Sequence, residues 1–203
     1  GLLIVGSWVN GFSVHDPRTR AFTLIDSVPG DARTLPARPV KTVHADRDGS
    51  LWMGTLEGGG LVHLDPSKGV LRRYVHDPKR ADSLSHNFVQ YVTRARNGGL
   101  WVATNGGGID WMRPGGDSFE HIRHDPNDPD SLASDNVLSL VEGRDGTLWV
   151  GTADRGLDER CSGCKGFRHH VYDAARTGSI ASDYVTIVYE TRAGELWTGG
   201  PSG

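Results

Sequence analysis

The sequence predicts an all-β protein built from a repeated unit, and three observations support that prediction. A short phrase recurs four times, as DGSLWMGT (48–55), GGLWVAT (98–104), DGTLWVGT (145–152) and AGELWTGG (193–200). Glycine accounts for 28 of the 203 residues, often in the D-G, N-G and G-G pairs that are typical of tight turns. No segment keeps a helical apolar period over about ten residues, so the repeats are expected to be strands.

Each repeat predicts four strands in a fixed order. The first strand precedes the recurring phrase, as in NVLSLVEG (136–143), and the second strand contains its tryptophan. A glycine-rich turn leads to a third strand, such as GGIDWM (107–112), and an aromatic segment such as SFEHIRHD (118–125) forms the fourth. Four short strands in a period of about 40–50 residues are the signature of a β-propeller, in which each antiparallel sheet is one blade.

The repeats divide residues 1–203 into a single, partial β-propeller of about four blade repeats, each of about 48 residues. We expect partial blades at both ends and complete blades between them, with boundaries at 1–30, 36–77, 84–125, 133–173 and 181–203. This division predicts a fragment of a larger ring. A closed four-bladed ring is the alternative, because YVTIVYE (184–190) could pair with LLIVGS (2–7).

Alternation along the second strand predicts which side chains face the neighbouring blades. Leu148 and Val150 should face one neighbour, whereas Trp149 and Gly151 should face the other. A tryptophan buries a large flat area, and a glycine lets another backbone come close. We therefore predict a structural core role for the repeated tryptophans, Trp52, Trp101, Trp149 and Trp197.

The repeated order N-x-V, D-G-x-L-W-V-G-T, G-G-L, F-x-x-Y-x-H-D-P and S-L resembles the two-component regulator propeller repeat over almost the whole chain. The resemblance implies a seven-bladed ring in the periplasmic sensor region of a hybrid two-component sensor histidine kinase. It also implies phosphorelay input in signal transduction, ligands such as oligosaccharide fragments, and a homodimer formed through other domains of the full protein. The repeat itself carries no catalytic residues.

Composition and motifs argue against several other functions. The net charge of −3 provides no basic face for a nucleic acid, and no run of 18 apolar residues could span a membrane. No catalytic or phosphate-binding motif is present, so we expect neither an enzyme nor a cofactor in this segment. We expect no metal site either, because the calcium-like loop HADRDGS (44–50) has its glycine at the wrong position and the acidic segment 125–130 is typical of a solvated loop.

Ligand-binding residues are expected on one rim of the propeller. The loops that enter the first strands and the turns that join second to third strands share that rim, and loops on a rigid scaffold often carry binding residues. The candidates are Glu57, His86, Asn87, Asn105, Asp135, Asn136, Asp154, Arg155, Asp183 and Tyr184. Of these, Asp154, Arg155 and Tyr184 carry most weight because they depart from the repeat and can hydrogen-bond or stack on a small polar ligand such as an oligosaccharide.

Cysteines and histidines receive structural interpretations. Cys161 and Cys164 form a single C-x-x-C, for which a local disulfide or idle thiols are favoured over redox or metal chemistry. His169 and His170 are adjacent on a strand and should point to opposite faces. His76 and His124 recur at equivalent positions, which predicts a role in folding.

The function that we expect is ligand sensing by an extracytoplasmic propeller segment of a bacterial receptor. Three alternatives stay open: a non-catalytic protein-interaction scaffold, the sensor region of a diguanylate cyclase, and a propeller lyase or glycosidase. The last would need convergent acid–base residues on the first strands, where the sequence offers only His44, Arg94 and Glu142.

Overall fold

The computed structural model describes residues 3–6, 12–16, 20–28, 31 and 34–201. All the regular secondary structure in these ranges consists of β-strands, and seventeen of them are found. The chain divides into two compact units, Gly1–Val92 and Thr93–Gly203. None of the described residues belongs to a helix of the length and apolarity that a membrane crossing requires.

The first unit contains two antiparallel sheets. One has three strands, β1 (Leu3–Gly6), β2 (Phe12–Asp16) and β3 (Ala21–Ile25). The other has four strands, β4 (Val40–Ala45), β5 (Leu51–Thr55), β6 (Leu61–Asp65) and β7 (Gly69–Tyr74). Phe12, Met53 and Val62 are fully buried in one hydrophobic cluster of this unit.

Two further four-stranded sheets and one two-stranded sheet follow. The next sheet is formed by β8 (Val89–Arg94), β9 (Leu100–Thr104), β10 (Gly108–Met112) and β11 (Phe119–Ile122). After it come β12 (Val137–Glu142), β13 (Leu148–Thr152), β14 (Leu157–Arg160) and β15 (Arg168–His170). The last pair is β16 (Ile187–Glu190) and β17 (Leu196–Gly199).

Each strand in these sheets pairs with its neighbours in the sequence, so every sheet is a simple antiparallel meander. The register of the first strand shifts at the same repeat position in two sheets, between Val40 and Thr42 and between Val137 and Ser139. A bulge of this kind bends the strand where it begins. The predicted all-β fold with four antiparallel strands per repeat is confirmed.

A glycine of the second strand lies against the chain at or just before the first strand of the next sheet. A Cβ atom on Gly151 would lie 2.6 Å from the carbonyl oxygen and 2.8 Å from Cγ1 of Val185. At the equivalent position in the first unit, a Cβ on Gly54 would lie 2.5 Å from Cγ1 of Val89. Trp149 packs against the cluster that contains Val185, so Trp149 and Gly151 share one face as predicted.

Two of the four repeated tryptophans are buried. Trp52 is 4% exposed and stacks on His63 with the ring centroids 4.1 Å apart. Trp101 is 9% exposed, contacts Trp111 at 4.2 Å between centroids, and donates a hydrogen bond from Nε1 to Oε2 of Glu142 at 3.1 Å. At Trp101, burial of a large aromatic surface is combined with a satisfied indole N–H, which stabilises the sheet on which it lies.

Of the other two tryptophans, Trp149 packs against the cluster around Val185 and keeps a partial core role, whereas the core role predicted for Trp197 needs correction. Trp149 is only partly buried, and Trp197 is 63% exposed. Trp197 lies directly opposite Tyr189, which is 58% exposed, in the β16–β17 pair.

Replacing Gly151 with alanine should lower the free energy of unfolding by about 1–3 kcal/mol, because the new methyl group would have to displace the Val185 backbone. Urea denaturation of the variant and the parent chain measures this difference. The control is Gly116→Ala on an exposed turn, where the nearest atom to the added Cβ is the Arg113 carbonyl oxygen at 3.1 Å. Equal stabilities of the two variants would contradict the proposed close approach.

Candidate functional site

The structure brings together the two sets of loops that the sequence placed on one rim. Asn105, in the turn between second and third strands, forms a β-bridge with Asn136 in the loop that enters the next first strand. In the following repeat, the amide of Gly156 donates a hydrogen bond to the carbonyl oxygen of Asp183 at 2.9 Å. The predicted residues are either exposed (Glu57, His86, Asp154, Arg155 and Tyr184) or partly buried (Asn87, Asn105, Asp135, Asn136 and Asp183).

Three of the predicted ligand residues have a structural task. At one repeat position, a side-chain oxygen accepts a backbone N–H from eleven residues earlier, in the pairs Asn87 with His76, Asp135 with His124 and Asp183 with Tyr172, at 2.7, 2.8 and 2.7 Å. We call this contact the joint latch, because it closes the segment between two repeats into a loop. The ligand-binding role of these residues stays a prediction, but one acceptor oxygen of each is already used.

His86 also supports a loop rather than standing free. Its Nδ1 accepts the backbone N–H of Phe88 at 3.2 Å. The hydroxyl oxygen of Ser182 accepts the N–H of Tyr184 in the same way at 3.1 Å. A histidine ring therefore replaces a serine hydroxyl at the same turn, which explains why an irregular residue is tolerated there.

The segments between repeats, 76–87, 124–136 and 172–184, are the joints that the latch closes. Within the second joint, the Asp125 N–H donates to Oγ of Ser131 at 2.9 Å, and the Ser131 hydroxyl donates back to the Asp125 carbonyl oxygen at 3.0 Å. The same reciprocal pair occurs in the other joints, between Asp77 and Ser83 and between Asp173 and Ser179. His124 Nδ1 lies 2.7 Å from the carbonyl oxygen of Leu132, as expected of a histidine that serves folding.

Two buried carboxylates were not predicted from the sequence. Asp110 and Asp158 are fully buried, and each contacts a histidine on the adjacent strand at 2.6 Å, His121 and His169 respectively. Burying a carboxylate is costly unless it is paired, and these histidines pair it. The signal in the sequence was an aspartate at the same position of two third strands, GIDWM and GLDER, opposite a histidine in the fourth.

His169 connects the second joint to the sheet formed by β12–β15. Its Nδ1 contacts Oδ1 of Asp158 at 2.6 Å, and its Nε2 lies 2.9 Å from the carbonyl oxygen of Pro129. Both partners can only accept, so the ring satisfies them best as a doubly protonated imidazolium. His170 on the opposite face contacts Glu159 at 2.7 Å, as the alternation of the strand predicted.

The pKa of His169 is raised above 6.5. Burial alone opposes the charged ring, but the hydrogen bonds with Asp158 and the Pro129 carbonyl and the charges of Asp158 and Asp130 outweigh it. Burial also raises the pKa of the Asp158 carboxyl, against the effect of its hydrogen bonds from the Ala133 N–H and from His169. The two side chains therefore carry opposite charges at pH values above the pKa of the Asp158 carboxyl and below the raised pKa of His169.

In the calcium-like loop at residues 44–50, an aspartate side chain forms hydrogen bonds within its own turn. Asp48 Oδ1 accepts hydrogen bonds from the N–H and the hydroxyl of Ser50 at 2.9 and 2.7 Å, and these bonds lower the pKa of the carboxyl. In the acidic joint, Oδ1 of Asp128 accepts the N–H of Asp130 at 3.0 Å. Within the described part of the chain, no group of three or more His, Cys, Asp or Glu side chains is arranged to hold a metal ion.

A cavity of about 380 Å³ lies between the second joint and the end of β15. Apolar surface comes from Pro126, Pro129 and Val171, and charged groups come from the segment 125–128 and from Arg155. Of the ten residues predicted for ligand binding, Arg155 is the one that lines this cavity. The joint supplies most of the wall, although its acidic segment 125–130 is typical of a solvated loop in the sequence.

A second cavity, of about 360 Å³, lies beside the turn between β14 and β15. Its lining includes Cys161, Cys164, Glu159 and Arg168. The structure joins the two cysteines in a disulfide, which was one of the two states favoured from the sequence. Both cysteines are exposed, so the disulfide closes a surface turn.

The joint latch predicts that Asp135→Ala lowers the free energy of unfolding by about 0.5–1.5 kcal/mol, because the backbone N–H of His124 would lose its side-chain acceptor. Asp135→Asn should leave stability nearly unchanged, because Asn87 fills the same role one repeat earlier. Urea denaturation distinguishes the two variants. Equal losses in both would show that the charge of Asp135, and not its hydrogen bond, matters.

The raised pKa of His169 predicts a stability that depends on pH. Its contribution is full below the unfolded pKa of about 6.5 and is lost as the pH rises through the higher folded value. The free energy of unfolding of the parent chain should therefore fall between about pH 5.5 and about pH 8.5, as measured by urea denaturation at both values. In His169→Gln, the part of this fall that His169 causes should be absent. The control His170→Gln should retain that part, and a pKa of His169 at or below 6.5 by NMR titration would contradict the account.

Comparison with known proteins finds a matching repeat family and several similar solved structures. Residues 83–106 and 131–154 match the family model described as "Two component regulator propeller". No curated protein matches the sequence significantly. Similar solved structures include the extracellular domains of BT3049 and BT4673 from B. thetaiotaomicron, each assigned as a hybrid two component system.

The chain is 20% identical to both of these domains, with TM-scores of 0.71 and 0.76. The alignments cover 98% and 100% of this chain but only 24% and 25% of theirs, so the chain spans about a quarter of their length. Virginiamycin B lyase from Staphylococcus aureus is also similar, with 14% identity, a TM-score of 0.63, and coverage of 94% of this chain and 56% of the lyase. The chain therefore has a β-propeller fold and carries repeats of the two-component regulator propeller type at residues 83–106 and 131–154.

Proposed function

We propose that this chain is a ligand-sensing, extracytoplasmic segment of a bacterial two-component receptor. The observation that carries the proposal is where the two family-matched segments lie. Residues 83–106 run from the loop before β8 to Asn105 in the turn after β9, and residues 131–154 run from the loop before β12 to Asp154 in the turn after β13. Both segments therefore contain rim loops together with the strands that support them.

The likeness to extracellular domains of hybrid two component systems supports a sensor role and a place outside the cytoplasm. A location in the periplasm and a histidine kinase output, with dimerisation through other domains, extend this proposal. A diguanylate cyclase output would place the same sensing function before a different enzyme. In each case the ligand must bind one receptor state more tightly than the other to change the output.

We propose that the segment senses without catalysis. The likeness to virginiamycin B lyase and the Asp–His pairs are the two observations that favour an enzyme instead. However, both ring nitrogens of His169 already contact acceptors, Asp158 and the Pro129 carbonyl, so this ring has no free nitrogen to act as a base. The Asp158–His169 pair therefore supports a structural role.

The ligand that we propose is a small polar molecule held at the rim, for which an oligosaccharide is one class. The rim is a stable platform, because each loop is held by the joint latch and by a backbone bond from the neighbouring turn. A preformed surface loses little conformational freedom when a ligand binds. A protein-interaction scaffold is the alternative, and it would show no stabilisation by small molecules.

The test begins with the coding sequence on both sides of this segment, followed by an assay of the intact receptor. We expect a membrane-spanning helix and a kinase or other signalling domain, and a several-fold change in output when one of a panel of oligosaccharides, amino acids and dipeptides is added. Arg155→Gln should alter the response, and Arg123→Gln, an exposed arginine that does not line the cavity, should not. A gene without a signalling domain, together with no thermal stabilisation by any compound of the panel, would overturn the proposal.

A further inference from the structure

We propose that the cavity between the second joint and the end of β15 binds a zwitterionic small molecule of amino-acid or dipeptide size. The proposal rests on the sensing function above and names the ligand class for one part of the rim. The cavity of about 380 Å³ falls within the usual range of small-molecule sites, about 300–1,000 Å³. The argument depends on how its wall is held, on its charges and on its apolar surface.

The wall of the cavity is fixed to the sheet before any ligand binds. Oδ2 of the fully buried Asp158 accepts the Ala133 N–H at 2.7 Å. The Phe167 N–H donates to the carbonyl oxygen of Asp130 at 2.7 Å, and Nε2 of His169 lies 2.9 Å from the carbonyl oxygen of Pro129. Three bonds to consecutive parts of one joint hold the wall in place, which is the condition for a preformed site.

The charged groups of the cavity favour a ligand that carries both a positive and a negative charge. The Arg155 side chain is exposed, and its guanidinium has no protein partner among the residues that the structure describes. Asp125 and Asp128 each use Oδ1 for a backbone N–H of their own joint. The second oxygen of each has no donor within the described ranges. A guanidinium binds a carboxylate through two parallel hydrogen bonds, and carboxylates bind an ammonium group.

The remaining surface favours an apolar side chain on the ligand. The exposed residues Pro126, Pro129 and Val171 line the cavity, and Val171 is 51% exposed, so apolar area is available to be covered. No Trp, Tyr or Phe is among the lining residues, and the rings at the cavity are the imidazoles of His124 and His169, which form hydrogen bonds within the protein. An ammonium group, a carboxylate and an apolar side chain occur together in amino acids and short peptides.

The test uses the dipeptide Ala-Leu as probe, with binding to the intact protein measured by isothermal titration calorimetry. N-acetyl-Ala-Leu lacks the ammonium group, and Ala-Leu-amide lacks the carboxylate. Each modified probe should bind about tenfold more weakly or worse, because it loses charge-assisted hydrogen bonds. Arg155→Gln should weaken Ala-Leu by a similar factor and remove the preference over Ala-Leu-amide, whereas the control Arg123→Gln should change neither.

The acidic side of the cavity has a matched control in the next joint. Asp125 and Asp173 accept the N–H of the residue two positions later in the same way, at 2.9 Å in both joints, but only Asp125 lines the cavity. Asp125→Asn should therefore weaken Ala-Leu and remove its preference over N-acetyl-Ala-Leu, and Asp173→Asn should not. If both substitutions disturb their loops equally, the difference between the Ala-Leu affinities of the two variants reports the contribution of Asp125 to the cavity.

Three outcomes would overturn this inference. They are no binding of Ala-Leu at millimolar concentration, equal binding of the capped probes, and affinities unaffected by Arg155→Gln and Asp125→Asn. Binding of an oligosaccharide that is insensitive to Arg155 would overturn the zwitterion site while leaving the proposed sensing function intact. Loss of the sensing function would instead appear as the absence of any signalling domain in the gene.

Discussion

The contact on which the rest of the structure depends is the close approach of one sheet to the next at a glycine of the second strand. Gly151 lies so near Val185 that no side chain fits between them, and Gly54 lies equally near Val89. The neighbouring tryptophan position on the same face extends this contact, as Trp149 does against the cluster around Val185. The close approach occurs within each unit, at Gly54 and at Gly151, and the repeat between them has Ala103 at the equivalent position.

The loops on that rim are held by hydrogen bonds that a loop normally lacks. Each joint is closed by an Asn or Asp side chain that accepts a backbone N–H from eleven residues earlier. A reciprocal Asp–Ser pair shapes the turn within the joint, and in the second joint the Asp158–His169 pair ties the chain to the underlying sheet. Many polar residues that the sequence offers as ligand-binding candidates thus serve to make the loops stable. Residues that depart from the repeat pattern, such as Arg155, are left available for a ligand.

Much of the fold could be predicted from the sequence because it depends on local and periodic features. The interval between the tryptophans is a periodic feature of the sequence. The turn glycines and the alternation around Trp149 and Gly151 are local features that depend on neighbouring residues. The structural tasks of Asn87, Asp135 and Asp183 could not be predicted, because their partners lie across a loop whose path the sequence does not show. The exposure of Trp197 also depends on what covers its sheet, which no repeat pattern specifies.

The central claim is that the rim is a preformed, rigid platform, and amide hydrogen exchange tests it most directly. The N–H groups of His76, His124 and Tyr172 lie outside strands, yet each is bonded to a latch residue. The account predicts that these amides exchange about as slowly as strand amides of the same sheets. Exchange as fast as that of the exposed turn residue Gly178, which has no such bond from the latch, would contradict it.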